Sequence, residues 1–308
     1  MIGLGWLARR RGIVDGATTD RLSRLLVGLV YPALIFSSMV ERFSLESLSE
    51  KWLLPVGAFG IMATGFVVGL ILLPWFGGRN SPSGRAFHFQ ATINNYSFLV
   101  MPLALFYWGQ EGLANVIFST LGSELAMWSL GVWAISRARL SRESIRQLLT
   151  PPILAIVVAL LVIVLRATLP MDWSSDGGGV FNALWGSLIE GLSLFGGATI
   201  PLAMVVAGSR IADLQSHHVV HLGQLRLVLV RLVLVPGLAM IWILWLPIPA
   251  EVTRVLLLIA VMPSAVSSVV VSQIFDGDVD AAAASVLLTH LFCLITIPFW
   301  LALVLRII

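Results

Sequence analysis

The sequence predicts an all-α integral membrane protein of ten segments in two inverted five-segment repeats, with the fourth and ninth segments broken and the first one short. Three observations carry this. The chain is 58% hydrophobic and 11% charged, with a mean hydropathy of +0.96, whereas soluble domains are about a quarter charged. Membrane-length apolar spans recur near 19–40, 52–76, 87–107, 112–136, 151–169, 180–209, 222–247, 252–275 and 281–306. Two of those spans carry the same interruption, with Gly109 and Gly277 aligned at an offset of 168 residues, about half the chain.

Taken in order, the elements begin with a stub. Met1–Ala8 precedes the Arg9-Arg10-Arg11 run, the reverse of a secretory signal. Eight helical residues rise only about 12 Å against about 30 Å of hydrocarbon. The stub therefore reads as the last third of a truncated first helix. The third span carries Gly65 and Gly69, a spacing that suits close helix packing. The fourth holds Asn94, Asn95 and Pro102, and the fifth holds Glu124. The linker 137–150 is expected on the cytoplasmic side, and no loop is long enough for a soluble domain. Pro151-Pro152 opens the second set, where proline fits a first helical turn. Gly177-Gly178-Gly179 is a turn and not a phosphate loop, since no Lys-Ser/Thr follows. Arg231 lies inside the eighth span, where snorkelling to the cytoplasmic face is the default reading and contact with a substrate carboxylate the alternative. Asp276-Gly-Asp-Val-Asp280 opens like a calcium loop but has leucine where the closing glutamate belongs, so Asp278 or Asp280 is expected to cap the last helix.

An odd number of segments per repeat forces opposite orientations, giving repeats over 1–136 and 151–308 in the inverted arrangement of many secondary transporters. The arginines orient the chain. Loops bearing Arg9–Arg24, Arg79–Arg85, Arg137–Arg146 and Arg210–Arg226 collect 13 basic residues, and the opposite ends hold five: Arg42, Lys51, Arg166, Arg254 and Arg306. The richer side is expected to be cytoplasmic, in an inner (plasma) membrane.

Other classes lack their parts. The one cysteine, Cys293, cannot form a disulfide within the chain. The pI near 9.6 reflects orientation rather than nucleic acid. No Gly-x-Ser-Gly, His-Glu-x-x-His or intramembrane aspartate pair is present, so an enzyme is not expected, nor a cofactor or metal.

The candidate residues cluster at the interruptions. Backbone unwinds at membrane depth only where protein or a water-filled cavity satisfies it, so the expected breaks are 94–97 and 262–265. Asn94 and Asn95 suit helix capping and could also donate amide hydrogens to a substrate. Pro263 and Ser264 are their counterparts, with Ser267 and Ser268 as cavity-lining candidates or helix-packing serines. Glu124 and His290 are ionisable groups at membrane depth, which makes them candidates for proton coupling. Glu124 could instead bond to Ser119, Thr120 or Ser123. Two half-helix N-termini, each about half a positive charge, favour a small organic anion over a cation.

The motif Asn95-Tyr-Ser-Phe-Leu-Val-Met-Pro102-Leu103, with Phe106-Tyr-Trp-Gly109, resembles the fourth-helix motif of the auxin efflux carrier family. Arg9-Arg10-Arg11-Gly12-Ile13 with Tyr31-Pro32-Ala33-Leu34-Ile35-Phe36 is similar to that family's first two helices. Ile200-Pro201-Leu202-Ala203 with Gly208 is similar to the seventh, and Met262-Pro263-Ser264-Ala265 and Thr296-Ile297-Pro298 to the ninth and tenth. The resemblance implies crossing fourth and ninth helices, a scaffold of helices one, two, six and seven, and a moving core of the rest. It gives Pro32, Pro102 and Pro201 structural roles. It also implies transport of small organic anions such as malonate, malate or oxalate. The lipid bilayer is the expected surroundings, and a homodimer is a candidate assembly. A sodium-coupled symporter of the bile-acid transporter type is the alternative. Three departures stand out: Ser97 and Val100 occupy places where the family favours glycine, the first helix is short, and the long cytoplasmic loop of plant members is absent.

Overall fold

The structure is a computed structural model that describes residues 1–136, 150–169, 173, 179–213 and 222–304. The expected linker 137–150 with its Arg137–Arg146 group, Gly177-Gly178 and Arg306 lie almost wholly outside the described residues. The helices are α1 (Ile2–Arg10), α2 (Gly16–Arg42), α3 (Leu45–Phe76), α4 (Pro82–Thr92), α5 (Val100–Ile135), α6 (Pro151–Thr168), α7 (Val180–Gly197, continued as Thr199–Asp213), α8 (Leu222–Trp245), α9 (Ala250–Ala260), α10 (Ser268–Ile274) and α11 (Val279–Val304). Among the described residues seven helices are long and apolar enough to cross a membrane. The spans near 87–107 and 252–275 are broken, as expected, into half-helices on either side of an unwound stretch. The protein is an all-helical, multi-pass membrane protein, and no strand occurs among the described residues.

Two compact units divide the chain. The first gathers α1, α2, α6, α7 and residues 105–118, and so contains the four helices that the family resemblance assigns to a scaffold. In it, α6 and α7 pack on α2, and α1 packs on the second half of α7. Gly5 makes that last approach possible, since a Cβ there would strike the Val205 carbonyl. One end of the unit ties Asp20 to Arg210 and Thr19 to Ser209. Elsewhere Lys51 pairs with Glu111 at 3.0 Å, and Arg166 donates to the Val40 carbonyl at 2.7 Å.

The second unit gathers α3, α4, most of α5, α8, α9, α10 and α11. Its core packs Met62, Phe89, Ile93, Met127, Ile135 and Ala265 together. Helix α3 lies directly on α4, as the Gly65/Gly69 spacing predicts: a Cβ on Gly65 would meet the Ala91 carbonyl, and one on Gly69 the His88 ring. Helix α5 is kinked at Gly109, whose φ of 64° and ψ of −155° fall where glycine is essentially required. In the second connection the positive φ belongs to Asp276 (51°) and not to Gly277. Asp278 caps α11 by accepting from the Ala281 N–H at 2.9 Å.

Three helices contain a π-helical turn, at Leu26–Val30, Met127–Gly131 and Val230–Leu234. Two of these immediately precede a proline, Pro32 and Pro236. Proline has no N–H for the carbonyl four residues earlier, and a widened turn absorbs the mismatch. For Pro236 that carbonyl belongs to Leu232, which accepts from the Trp300 indole N–H at 2.8 Å. Pro102 and Pro201 both sit in first helical turns, where a proline costs no hydrogen bond.

Candidate functional site

The two breaks fall at 93–99 and 261–267 and meet each other inside the second unit. Asn94 and Ser264 form an antiparallel bridge. The Asn95 N–H donates to the Pro263 carbonyl at 2.8 Å, and the Ala265 N–H donates to the Ile93 carbonyl at 3.1 Å. The unwound strands thus satisfy each other, as burial away from water demands. Sequence explains each break separately. Asparagine side chains compete with helical backbone bonding. Pro263 lacks a donor and disfavours the helical region for Met262.

Side chains brace the crossing reciprocally. Asn94, fully buried, donates its amide to the Ile259 carbonyl at 2.6 Å, near the end of α9. Ser264, also fully buried, donates to the Gln90 carbonyl at 3.2 Å, near the end of α4. Each break therefore adds a side-chain donor to a carbonyl near the end of the helix leading into the other. Gln90 donates to the Ser268 hydroxyl at 3.1 Å and the Ala282 carbonyl at 2.8 Å, tying α4 to α10 and α11. Ser267 is exposed, one residue before α10. Gln90 also lines a cavity of about 650 Å³, together with Ser83, Gln224, Arg226, Asp278 and Ser285.

Asn95 is placed differently from Asn94. Its side-chain oxygen accepts from the Phe98 N–H at 3.2 Å, shaping the turn that precedes α5. Its amide nitrogen then faces Nε2 of His290 at 3.1 Å, while His290 Nδ1 lies 2.8 Å from the Val286 carbonyl. A carbonyl can only accept, so Nδ1 carries the proton and Nε2 receives the Asn95 N–H. One amide hydrogen of Asn95 remains uncommitted. The expected capping of the second half-helix is not made by either asparagine, since α5 begins at Val100 with no side-chain cap; Asn95 shapes the turn before it, and Asn94 serves as a brace.

Glu124 is buried and accepts from the Tyr96 hydroxyl at 3.0 Å and the Trp128 indole at 3.2 Å. Its partners are these two aromatic donors and not the neighbouring hydroxyls, and Tyr96 adjoins Asn95 in the break. Glu190 is exposed in the first unit, beside Arg166 and Glu41 on a separate cavity, and takes no part in the crossover.

Two arginines contribute what sequence reading missed. Arg231 does not snorkel. It is fully buried and donates from Nε to the Met262 carbonyl at 3.0 Å, from one terminal nitrogen to Ala91 at 3.3 Å, and from the other to Ala260 at 3.2 Å. Arg85, counted as a loop charge, is also fully buried and donates to the carbonyls of Ile135, Asn80 and Asp276. An ionisable residue deep in an apolar span was the available signal for Arg231. Arg85 offered none, because it lies in the first turn of α4 beside a polar loop.

Crossed, unwound helices braced inside an all-helical, apolar chain define a membrane transport protein. The chain belongs to the membrane transport protein family, whose sequence profile matches residues 1–301, the family of the auxin efflux carriers. It is 29% identical to an uncharacterized transporter of Methanothermobacter thermautotrophicus, over 97% of this chain and 94% of that one. It is 24% identical to an uncharacterized transporter of Methanocaldococcus jannaschii, over the same shares.

Proposed function

We propose that the protein is a secondary transporter that moves a small organic anion, a mono- or dicarboxylate, across the membrane by alternating access. The observation that supports this reading is the charge around the crossover. A buried guanidinium, Arg231, occupies the carbonyls of Ala91 and Ala260 at the ends of α4 and α9 and of Met262 in the second break, so the negative ends of these half-helices are already matched and do not attract a second cation. Asn95 keeps an amide hydrogen to offer, and the positive end of the first half of α5 begins a few residues on. Glu124 is linked to the break through Tyr96, not through Asn95. An organic cation would meet donors and positive dipole ends there. A carboxylate would find donors, which partly repay its desolvation.

In this reading Asn95 contacts the substrate. Asn94, Pro263, Ser264 and Ser268 hold the crossing in shape, and Ser267 lies at its accessible edge. Glu124 and His290 respond to protons. The repeats over 1–136 and 151–308 are inverted copies, and the reciprocal bracing by Asn94 and Ser264 supports that symmetry. The arginine-rich loops face the cytoplasm of a cell bounded by this plasma membrane. Equilibrium binding to purified protein tests the substrate class, with malonate, oxalate, malate and size-matched organic cations as probes. Carboxylates are expected to bind and cations to fail. Tight cation binding without carboxylate binding overturns the reading.

A further inference from the structure

We propose that the Arg231 guanidinium is a tethered cation that clamps the crossover in the place of a coupling metal ion, so that transport by this chain is independent of sodium. The inference rests on the carrier reading of the same site and adds its energetics. In transporters with broken helices, unwound carbonyls and the C-terminal ends of half-helices are the groups that coordinate coupling cations. Here that oxygen set consists of Ala91 in the last turn of α4, Ala260 at the end of α9, and Met262 in the second break, and all three accept from Arg231. No carboxylate pairs with Arg231 among the described residues.

A buried charge without a counter-ion costs several kcal/mol unless dipoles replace the water it lost. The two half-helices α4 and α9 both point their C-terminal ends at the guanidinium, each worth about half a negative charge. Together they roughly match one arginine. The flat guanidinium spreads its donors across three separate carbonyls, which a lysine ammonium cannot reproduce from one point. The π-helical turn Val230–Leu234, set by Pro236, carries Arg231 into this position. A sodium ion would have to displace a group that stays protonated and is covalently held.

Three arms test this. Wild-type flux of labelled malonate into vesicles is measured with sodium or with potassium as the only alkali cation, and equal rates are expected. Arg231→Ala is expected to lose roughly ten- to a hundredfold in flux, the scale set by leaving buried carbonyls unpaired. Its lowered melting temperature is expected to recover saturably with added guanidinium ion, which leaves wild type unmoved. Arg231→Lys is expected to keep part of the stability and little of the flux. A strict sodium requirement in wild type overturns the proposal. So does an Arg231→Ala protein with wild-type melting temperature, or one that guanidinium does not stabilise. If Arg231→Ala does not insert, Arg231→Lys and the sodium arm still decide. The melting arms need no substrate, so a protein that moves no carboxylate fails as an anion carrier while the role of Arg231 is judged separately.

Discussion

The side-chain oxygen of Asn95 is held by the Phe98 N–H, and that single bond fixes which way the amide points. The nitrogen then faces His290, whose tautomer follows from the Val286 carbonyl behind it. Asn95→Ala removes both the turn-shaping acceptor and the donor offered to substrate. We expect roughly a ten- to hundredfold loss of flux, the scale of one buried hydrogen bond, at wild-type membrane insertion; wild-type flux at equal expression contradicts the assignment. Glu124 stands behind the same turn through Tyr96. Glu124→Gln keeps the shape and removes the ability to exchange a proton, so the pH–flux profile of the variant is expected to flatten. An unchanged profile makes Glu124 a structural group. Asn94, Asn95, Glu124 and His290 were legible as polar residues in apolar spans, because such residues are costly there. Which amide is a brace and which is free depends on Ile259 and His290, far away in sequence, and no local pattern reports that.

The helices were readable to within a few residues, because apolar length and the polar or proline interruption are local properties. Both breaks fell where Asn94-Asn95 and Pro263 predicted them. The π-helical turns were not legible, since they leave the apolar pattern intact and betray themselves only through the prolines that follow. Gly277 shows the same limit: aligned with Gly109, it yields the left-handed position to Asp276. Two glycines give element-scale predictions. Gly109→Ala places a Cβ at a φ of 64° and ψ of −155°, a strain of about 1–3 kcal/mol. A lower melting temperature is expected, and an unchanged one contradicts the kink. Gly65→Ala drives a Cβ against the Ala91 carbonyl, the same atom that Arg231 binds. It is expected to reduce both melting temperature and flux, whereas Gly191→Ala, with open space around it, is expected to change neither. Equal effects from the two substitutions contradict the packing described for α3 and α4.

At the scale of the molecule, composition alone specified a multi-pass membrane protein, and the ordered motifs specified the family. The division into one unit of α1, α2, α6 and α7 and another built around the crossover was legible only through the resemblance, since it joins helices from both halves of the chain. The charge inside the second unit was misread. Arg85 counts as a loop charge and Arg231 reads by default as snorkelling, because a single sequence cannot show that main-chain carbonyls from α4, α9 and the second break converge on a buried guanidinium. That convergence leaves no unmatched negative helix end for a cation, and with the Asn95 donor it supports an anionic cargo. Uptake of labelled malonate into sealed vesicles containing the purified protein decides whether the chain is an anion carrier. Saturable uptake is expected, accelerating when unlabelled malonate is loaded inside and competed by oxalate or malate but not by organic cations. Uptake no faster than in protein-free vesicles, or uptake that rises linearly without saturation, contradicts the carrier reading.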